Sequence, residues 1–314
     1  MRGDRVPDNL RDTIKRLREV GFYIVEDAPF GARTTYRVGG VAAAAIELAS
    51  MEELERLGSV IADCEERLPV FVLGRGSNVL VSDRGFPGLV ITLGAGFSSL
   101  SADGGRVELG AASPLPVMAR RIAKLGLSGF TWAVGVPGSI GGAVRMNAGG
   151  HGHVLSETLS AALVFDLGGE GSPTWRRADS LRLEYRSSAI EADQVVLAAR
   201  LELRQGDPDE ELALVNEIVA WRREHQPGGQ NAGSVFVNPE SAPAARLIEE
   251  CGLKGFRYRS ASVSSKHANF IQADPGGSAD DVYALMQSVR ERVERQTGVQ
   301  LISEVRLVGF QQFT

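Results

Sequence analysis

The sequence predicts an α+β protein with more than one core, on three observations. The chain is 314 residues long, beyond the size at which a single hydrophobic core keeps growing. Residues 42–73 read as strand, helix and strand, and then run into a glycine turn. Residues 159–204 read mainly as strands, and a long helical pattern follows the break Gln205-Gly206-Asp207-Pro208.

In chain order, residues 9–20 carry Leu10, Ile14 and Leu17 at helical spacing, and Gly21 closes that helix. An alanine-rich strand spans 42–48. Ser50 and Glu53 form a capping box, and the helix they open extends to 67 with Leu54, Leu57, Ile61 and Cys64 in line. Residues 70–73 (V-F-V-L) read as a buried strand, and 79–81 (V-L-V) as another. Short strands and turns fill 88–109. Ser113-Pro114 start a helix over 117–125, ended by Gly126. Strands follow at 161–165 and 195–203. The next helix carries Leu212, Val215, Ile218 and Val219 in phase. Ser241 begins a helix with Leu247 and Ile248, stopped by Gly252, and residues 263–271 suggest a strand pair. Ser278 and Asp281 cap a helix with Val282, Leu285, Met286, Val289 and Val293 on one side, ended by Gly298. A final alternating strand spans 301–308, with Glu304 opposite Val305 and Leu307.

Composition narrows the function classes. Hydrophobic residues make up 43% and charged residues 23%, as in ordinary globular proteins. The net charge of −5, without a long basic run, excludes nucleic acid as the main partner. A phosphate ligand would have to be held by local dipoles and a few arginines. The longest apolar run, 41–46, is too short to span a bilayer, and the first ten residues carry no export core, so a cytoplasmic protein without a membrane partner is expected. Cys64 and Cys251 fall on helical patterns far apart, which favours small buried hydrophobes over a redox pair. His151-Gly152-His153 lacks a matching ligand cluster and reads as a loop, so no metal is expected.

Two glycine-rich stretches point to chemistry. In the first, Gly74-Arg75-Gly76-Ser77-Asn78 joins two apolar runs. It is neither a Walker loop nor the dinucleotide fingerprint, because no Gly-Lys-Ser/Thr follows and strand, not helix, comes next. The second runs over 132–149 (W-A-V-G-V-P-G-S-I-G-G-A-V-R-M-N-A-G). Glycine lets backbone N–H groups approach a phosphate, so both stretches suit a cofactor, although tight turns would also use them. Acyl-transfer, zinc and P-loop signatures are missing, which suits a redox cofactor supplying the difficult chemistry.

Together the stretches 74–85 (G-R-G-S-N-V-L-V-S-D-R-G) and 135–149 resemble the flavin-binding segments of the UDP-N-acetylenolpyruvoylglucosamine reductase family, the UDP-N-acetylmuramate dehydrogenases. Tyr185-Arg186-Ser187-Ser188, residues 232–239 (A-G-S-V-F-V-N-P) and Glu304-Val305-Arg306 match in the family's order, and the likeness covers about residues 30–309. The short stretch between Ala148 and Tyr185 resembles the shorter-looped subtype.

The resemblance implies an FAD-binding domain of the vanillyl-alcohol-oxidase type in two subdomains over 33–204, after an N-terminal helical segment, 1–32. It also implies a smaller α+β substrate-binding domain over 205–302 and a C-terminal strand, 303–314, returning to the active site. FAD is the implied cofactor and NADPH the co-substrate. FAD would contact Gly74, Arg75, Gly76, Ser77 and Asn78, then Val136, Pro137, Gly138, Ser139, Gly141, Gly142, Asn147, Ala148 and Gly149. The implied reaction reduces the enolpyruvyl ether of UDP-N-acetylglucosamine to UDP-N-acetylmuramate for peptidoglycan. Arg186 would neutralise charge growing on the carboxylate, Ser234 would deliver a proton, and Glu304 would assist the enolic group. Tyr185, Asn238, Arg259 and Lys266 would bind substrate.

Read without the resemblance, Arg186 could pair with Glu184, Ser234 could be a turn serine, and Glu304 could be a solvated strand residue. Lys266-His267 could be a solvated turn, and Trp132 reads as core. Val237 stands where many members carry Lys, and Arg259-Ser260 where many carry Gly-Gly, which bears on substrate identity. An oxidase of the same fold, or a silent nucleotide-binding relative, is the competing reading.

Overall fold

The computed structural model describes residues 7–310 apart from Glu65 and Glu170. The ends of the segments expected at 1–32 and 303–314 therefore lie outside the described residues. The α+β expectation holds: among the described residues, helices and runs of mainly antiparallel strands follow one another without regular alternation. The chain divides into two compact units. One takes residues through Glu26, Ala43–Arg75 and Pro87–Trp221; the other takes Asp27–Ala42, Gly76–Phe86 and the residues from Arg222 onward. The chain thus leaves the first unit between Arg75 and Gly76, inside the first glycine loop.

The larger sheets of the first unit have four and five strands, besides two-stranded pairs. In the four-stranded sheet the order is Val25–Ala28, Ala42–Leu48, Phe86–Leu93, Val70–Val72, and the last two strands run parallel with Val70 opposite Leu89. Helices Asp8–Glu19 and Met51–Ala62 bury Leu10, Leu17, Leu54 and Leu57 against Ile46, Leu48, Leu89 and Ile91. The five-stranded antiparallel sheet runs Thr174–Arg177, Leu159–Asp166, Gln194–Glu202, Arg106–Gly110, Leu100–Asp103. Strand Gln194–Glu202 gives Val195 and Leu197 to one core and Val196 to another. That burial on both faces accounts for its nearly unbroken apolar run. Helix Leu115–Lys124 packs Leu115, Met118, Ala119 and Ile122 into the second core.

In the second unit, helix Ala279–Thr297 lies with helix Ala244–Glu250 on the antiparallel sheet Arg257–Tyr258, Ala261–Val263, Ile271–Ala273. The expected stripe Val282, Leu285, Met286, Val289 and Val293 is at most 1% exposed. Each such side chain contributes roughly 1.5–3 kcal/mol of burial. Ser278 Oγ accepts the Asp281 N–H at 3.2 Å, and Gly298 ends the helix at φ +74°.

Several elements differ from expectation, for physical reasons. The helix opened by Ser50 ends at Ala62 rather than 67. Pro69 bars helical geometry at Leu68, and the chain must reverse into strand Val70–Val72. Cys64 therefore sits past the helix end, and Cys251 caps Ala244–Glu250 instead of lying within it. That second helix starts after Pro243, not at Ser241, because proline suits the helix entrance. Strand Val70–Val72 is half-buried rather than buried. Strands Thr174–Arg177 and Arg257–Tyr258 were not foreseen; both are short and charged. The glycine-rich stretch contains a helix, Ile140–Arg145, capped by Ser139. The last strand is only Arg306–Val308, parallel to Val79–Val81. The residues before it pair elsewhere, as described next.

Candidate active site

The first glycine loop is not a hairpin. The strand before it, Val70–Val72, pairs with Phe86–Leu93, whereas the strand after it, Val79–Val81, pairs with Arg306–Val308. Gly76 takes φ +63°, and a Cβ there would stand 2.7 Å from the Thr34 Cα. Its carbonyl accepts from the Thr35 N–H at 3.0 Å and from Thr35 Oγ1 at 3.3 Å. Glycine is required there on both counts. Arg75 is exposed and Ser77 half-buried. Asn78 reaches a different part of the chain. Its Nδ2 donates to the Glu304 carbonyl at 2.9 Å, and its own carbonyl accepts the Arg306 N–H at 3.0 Å.

The second stretch is zipped to residues 111–115. Leu115 N–H donates to Gly138 O at 2.9 Å, Ile140 N–H to Ser113 O at 3.0 Å and Gly141 N–H to Ala111 O at 2.9 Å. A Cβ on Gly141 would press on the Ala111 Cβ at 3.1 Å, so this glycine serves close chain packing. Gly138, Ser139 and Asn147 are buried; Val136, Gly141, Ala148 and Gly149 are half-buried; Pro137 and Gly142 are exposed. Gly74 brings the two stretches together: a Cβ there would fall 2.4 Å from Ser139 Oγ. Exposed backbone at Gly74 and Gly142 thus flanks the capping hydroxyl of Ser139, which accepts the Gly142 N–H at 3.4 Å. Side chains at these glycines would fill that cradle, so the residues present fit a flavin-nucleotide ligand.

Arg186 sits at the tip of a tight turn. Glu184 and Ser187 exchange backbone hydrogen bonds of 3.1 and 3.2 Å, and Arg186 takes φ +56°. Three further bonds fasten the turn to the end of the second stretch. Asn147 Nδ2 donates to Glu184 O at 2.9 Å, Ser188 Oγ donates to Arg145 O at 2.7 Å, and Arg186 Nη2 donates to Gly149 O at 3.2 Å. Asn147, itself at φ +40°, also accepts the Ser156 N–H on Oδ1 at 3.0 Å. A Cβ on Gly149 would stand 3.0 Å from Arg186 Nη1. The guanidinium lies 5.0 Å from the Tyr185 ring centroid, and Tyr185 is 52% exposed.

Ser234 and Glu304 are neighbours by backbone. Glu304 N–H donates to Val235 O at 2.8 Å, Val237 N–H donates to Ile302 O at 2.9 Å, and Phe236 pairs with Ser303. Gly233, at φ +77°, turns the chain into this ladder, and its N–H is held by Asn231 Oδ1 at 3.0 Å. Glu304 is where the C-terminal segment changes partner, from residues 235–237 to Val79–Val81. This exchange breaks the expected continuous strand.

The expected substrate-binding residues make internal contacts. Asn238 Oδ1 accepts the Ala244 N–H at 3.0 Å, at the entrance of helix Ala244–Glu250. Lys266 Nζ donates to Arg223 O at 2.6 Å, in the last turn of helix Pro208–His225, where a cation is favoured. Arg259, at φ +46°, faces Asp281 at 3.6 Å, and neighbouring Arg257 pairs with Asp274. Burial holds the adjacent His267 imidazole below its ordinary pKa. His153 Nδ1 lies 2.8 Å from Glu157 Oε2, and His151 meets the Trp221 ring edge-on at 5.0 Å. Trp132 is buried in the first unit, as expected of a core residue.

Residues 42–170 match the family model described as the FAD binding domain, and residues 225–308 match UDP-N-acetylenolpyruvoylglucosamine reductase, C-terminal domain. A UDP-N-acetylenolpyruvoylglucosamine reductase of Parasynechococcus marenigrum is 42% identical over 289 residues, spanning 90% of this chain and 95% of the relative. The chain belongs to the UDP-N-acetylenolpyruvoylglucosamine reductase family. A Bacillus velezensis member of the reductase family is 36% identical over 310 residues, 98% of this chain and 99% of its own. The crystal structure of the Thermus caldophilus reductase superposes with a TM-score of 0.77 at 33% identity, covering 91% of this chain and 98% of that one.

Within this reductase-family fold, motif reading missed Asn269. It follows the expected Lys266-His267 pair, but sequence places it within the expected strand pair of 263–271, where a lone asparagine carries no motif; the structure puts it in the turn between the two strands. In the structure it is 3% exposed and bonded to Val235 and Phe236.

Proposed function

We propose that this protein is an NADPH-dependent, FAD-containing reductase that converts the enolpyruvyl ether of UDP-N-acetylglucosamine to UDP-N-acetylmuramate, in the cytoplasm, for peptidoglycan precursor synthesis. The observation that carries the reading is whole-length membership of the reductase family together with the setting of Arg186, Ser234 and Glu304 on separately braced backbone. When bound, FAD supplies hydride chemistry, between NADPH and the methylene carbon of the enolpyruvyl group. Gly74 and residues 136–149 would hold it, through the exposed backbone of Gly74 and Gly142 beside Ser139, with Arg75 as the local cation.

Hydride arrival at the methylene carbon drives negative charge into the substrate carboxylate. Arg186 opposes that charge. Its guanidinium stays charged at any working pH and its planar fork matches a carboxylate. The Gly149 carbonyl and the Tyr185 ring aim it. Ser234 then passes its hydroxyl proton to the carbon next to the carboxylate. A serine is a weak acid, but an enolate is a strong base, and a hydroxyl held within reach suffices. Glu304 supports the same enolic group as a hydrogen-bonding carboxyl. Tyr185, Asn238, Arg259 and Lys266 lie on substrate-binding segments. The contacts of Asn238 and Lys266 imply that they shape the backbone there as well as meeting the sugar nucleotide.

The test is anaerobic. The purified yellow protein is reduced with one equivalent of NADPH and mixed with the enolpyruvyl substrate. Flavin reoxidation with stoichiometric UDP-N-acetylmuramate is the expected result. Flavin that stays reduced until air is admitted would leave the fold in place, overturn the substrate, and favour an oxidase.

A further inference from the structure

We propose that Asn269 is the positioning residue for Ser234, an assignment that rests on the function proposed above. The carbonyl and both side-chain amide groups of Asn269 serve one task. Its carbonyl accepts the Val235 N–H at 2.8 Å, Oδ1 accepts the Phe236 N–H at 3.0 Å and Nδ2 donates to Phe236 O at 2.8 Å. Its own N–H donates to His267 Nδ1 at 3.3 Å. The pairing leaves no freedom in the amide's orientation: an N–H needs the oxygen and a C=O needs the NH₂ group. The side chain is 3% exposed, so these bonds are made out of water, where a missing partner is costly.

The consequence falls on Ser234. Val235 and Phe236, the two residues after it, are gripped on one side by Asn269. On the other side Val235 O accepts the Glu304 N–H at 2.8 Å. The side-chain amide of Asn269 thus stands in for a strand, completing a ladder whose other rail carries Glu304. Without it, residues 234–236 would keep only the Glu304 side and the entry turn at Gly233. A proton donor that is a weak acid depends on holding its geometry, because misplacement by about 1 Å can cost on the order of 10²-fold. Asn269 is 3% exposed, with its amide turned to Phe236, so its effect passes through Ser234.

Asn269→Asp is the sharpest variant. It keeps the shape and the acceptor for Phe236 N–H, but sets a second oxygen against Phe236 O. Wild type, Asn269→Asp, Ser234→Ala and the double variant are compared by anaerobic rapid mixing, reading flavin content, flavin reduction by NADPH and reoxidation by the enolpyruvyl substrate. The expected result is unchanged flavin content, reduction within about two-fold of wild type, and reoxidation slowed on the order of 10²-fold at saturating substrate. The double variant should be no slower than Ser234→Ala alone, since residues acting as a unit are not additive. A purely structural residue would instead slow both half-reactions or add its loss to that of Ser234→Ala. Asn269→Asp reoxidising at the wild-type rate, or additive losses, would overturn the inference. Wild type failing to reoxidise would overturn the proposed function instead, and Ser234→Ala reoxidising normally would overturn the role of Ser234. If Asn269→Asp does not accumulate folded, Asn269→Ser is read by the same criteria.

Discussion

Arg186 and Ser234 are held in place by opposite means. Arg186 stands on a turn in a left-handed conformation, φ +56°, fastened by Asn147 and Ser188 and by its own bond to Gly149. Such a backbone costs about 1–3 kcal/mol and persists only where its surroundings enforce it. Ser234 enters a ladder made on one side by main-chain bonds to the Glu304 segment and on the other by the carbonyl and side-chain amide of Asn269. A turn of the first kind hangs on single side chains. The ladder draws its support from backbone groups except at Asn269, so single substitutions along it other than at Asn269 should be tolerated.

On the turn side, the larger effect should come at its tip. Arg186→Ala should slow flavin reoxidation by about 10²–10³ while leaving reduction by NADPH near wild type, by analogy with losing an oxyanion donor. Asn147→Ala should break the same side of the comparison from below. It removes a donor to Glu184 and an acceptor for Ser156 in a buried site, so thermal unfolding should show a loss of about 1–3 kcal/mol. Asn147→Asp keeps the acceptor for Ser156 but sets a second oxygen against Glu184 O in a buried site, so it should lose at least as much as alanine. On the ladder side, Asn238→Ala should cost about 0.5–2 kcal/mol through the exposed entrance of helix Ala244–Glu250. A substrate KM that also rises would show that Asn238 meets the ligand as well as the helix.

The smallest effect is on pH. Burial lowers the His267 pKa, so the unfolded chain binds more protons than the folded one below about pH 6.5, the ordinary value. Stability should be full above that pH and decline as pH falls toward the lowered folded value. The direction is read by melting at pH 7.5 and 5.5. His267→Gln should flatten that difference, and an equal slope in both proteins would remove His267 as its source.

The comparison also explains what could be read from sequence. Helix stripes and caps were legible because they are local: Ser278 with Asp281 and the Val282-to-Val293 face required nothing distant. The glycine motifs were legible as a pair, and the roles proposed for Arg186, Ser234 and Glu304 rest on the family likeness. The wiring was not legible. Asn78 is expected from sequence as a flavin contact, and nothing in its spacing tells that its side chain holds the Glu304 carbonyl 226 residues away. Asn147 is expected in the same way, and it fastens the turn bearing Arg186. Single asparagines carry no periodicity, and partners that far apart leave no mark on spacing. The break in the last strand had the same origin, since the alternation of residues 301–308 does not tell that its halves pair with different segments.

The central claim is that Ser234 supplies the proton from a braced ladder, while Arg186 answers the charge. The direct measurement is the single-turnover reoxidation rate of the reduced Ser234→Ala enzyme with the enolpyruvyl substrate. The account predicts a loss of about 10²–10⁴ in that step, with flavin reduction by NADPH unchanged. Reoxidation at the wild-type rate, with normal UDP-N-acetylmuramate formation, would contradict it.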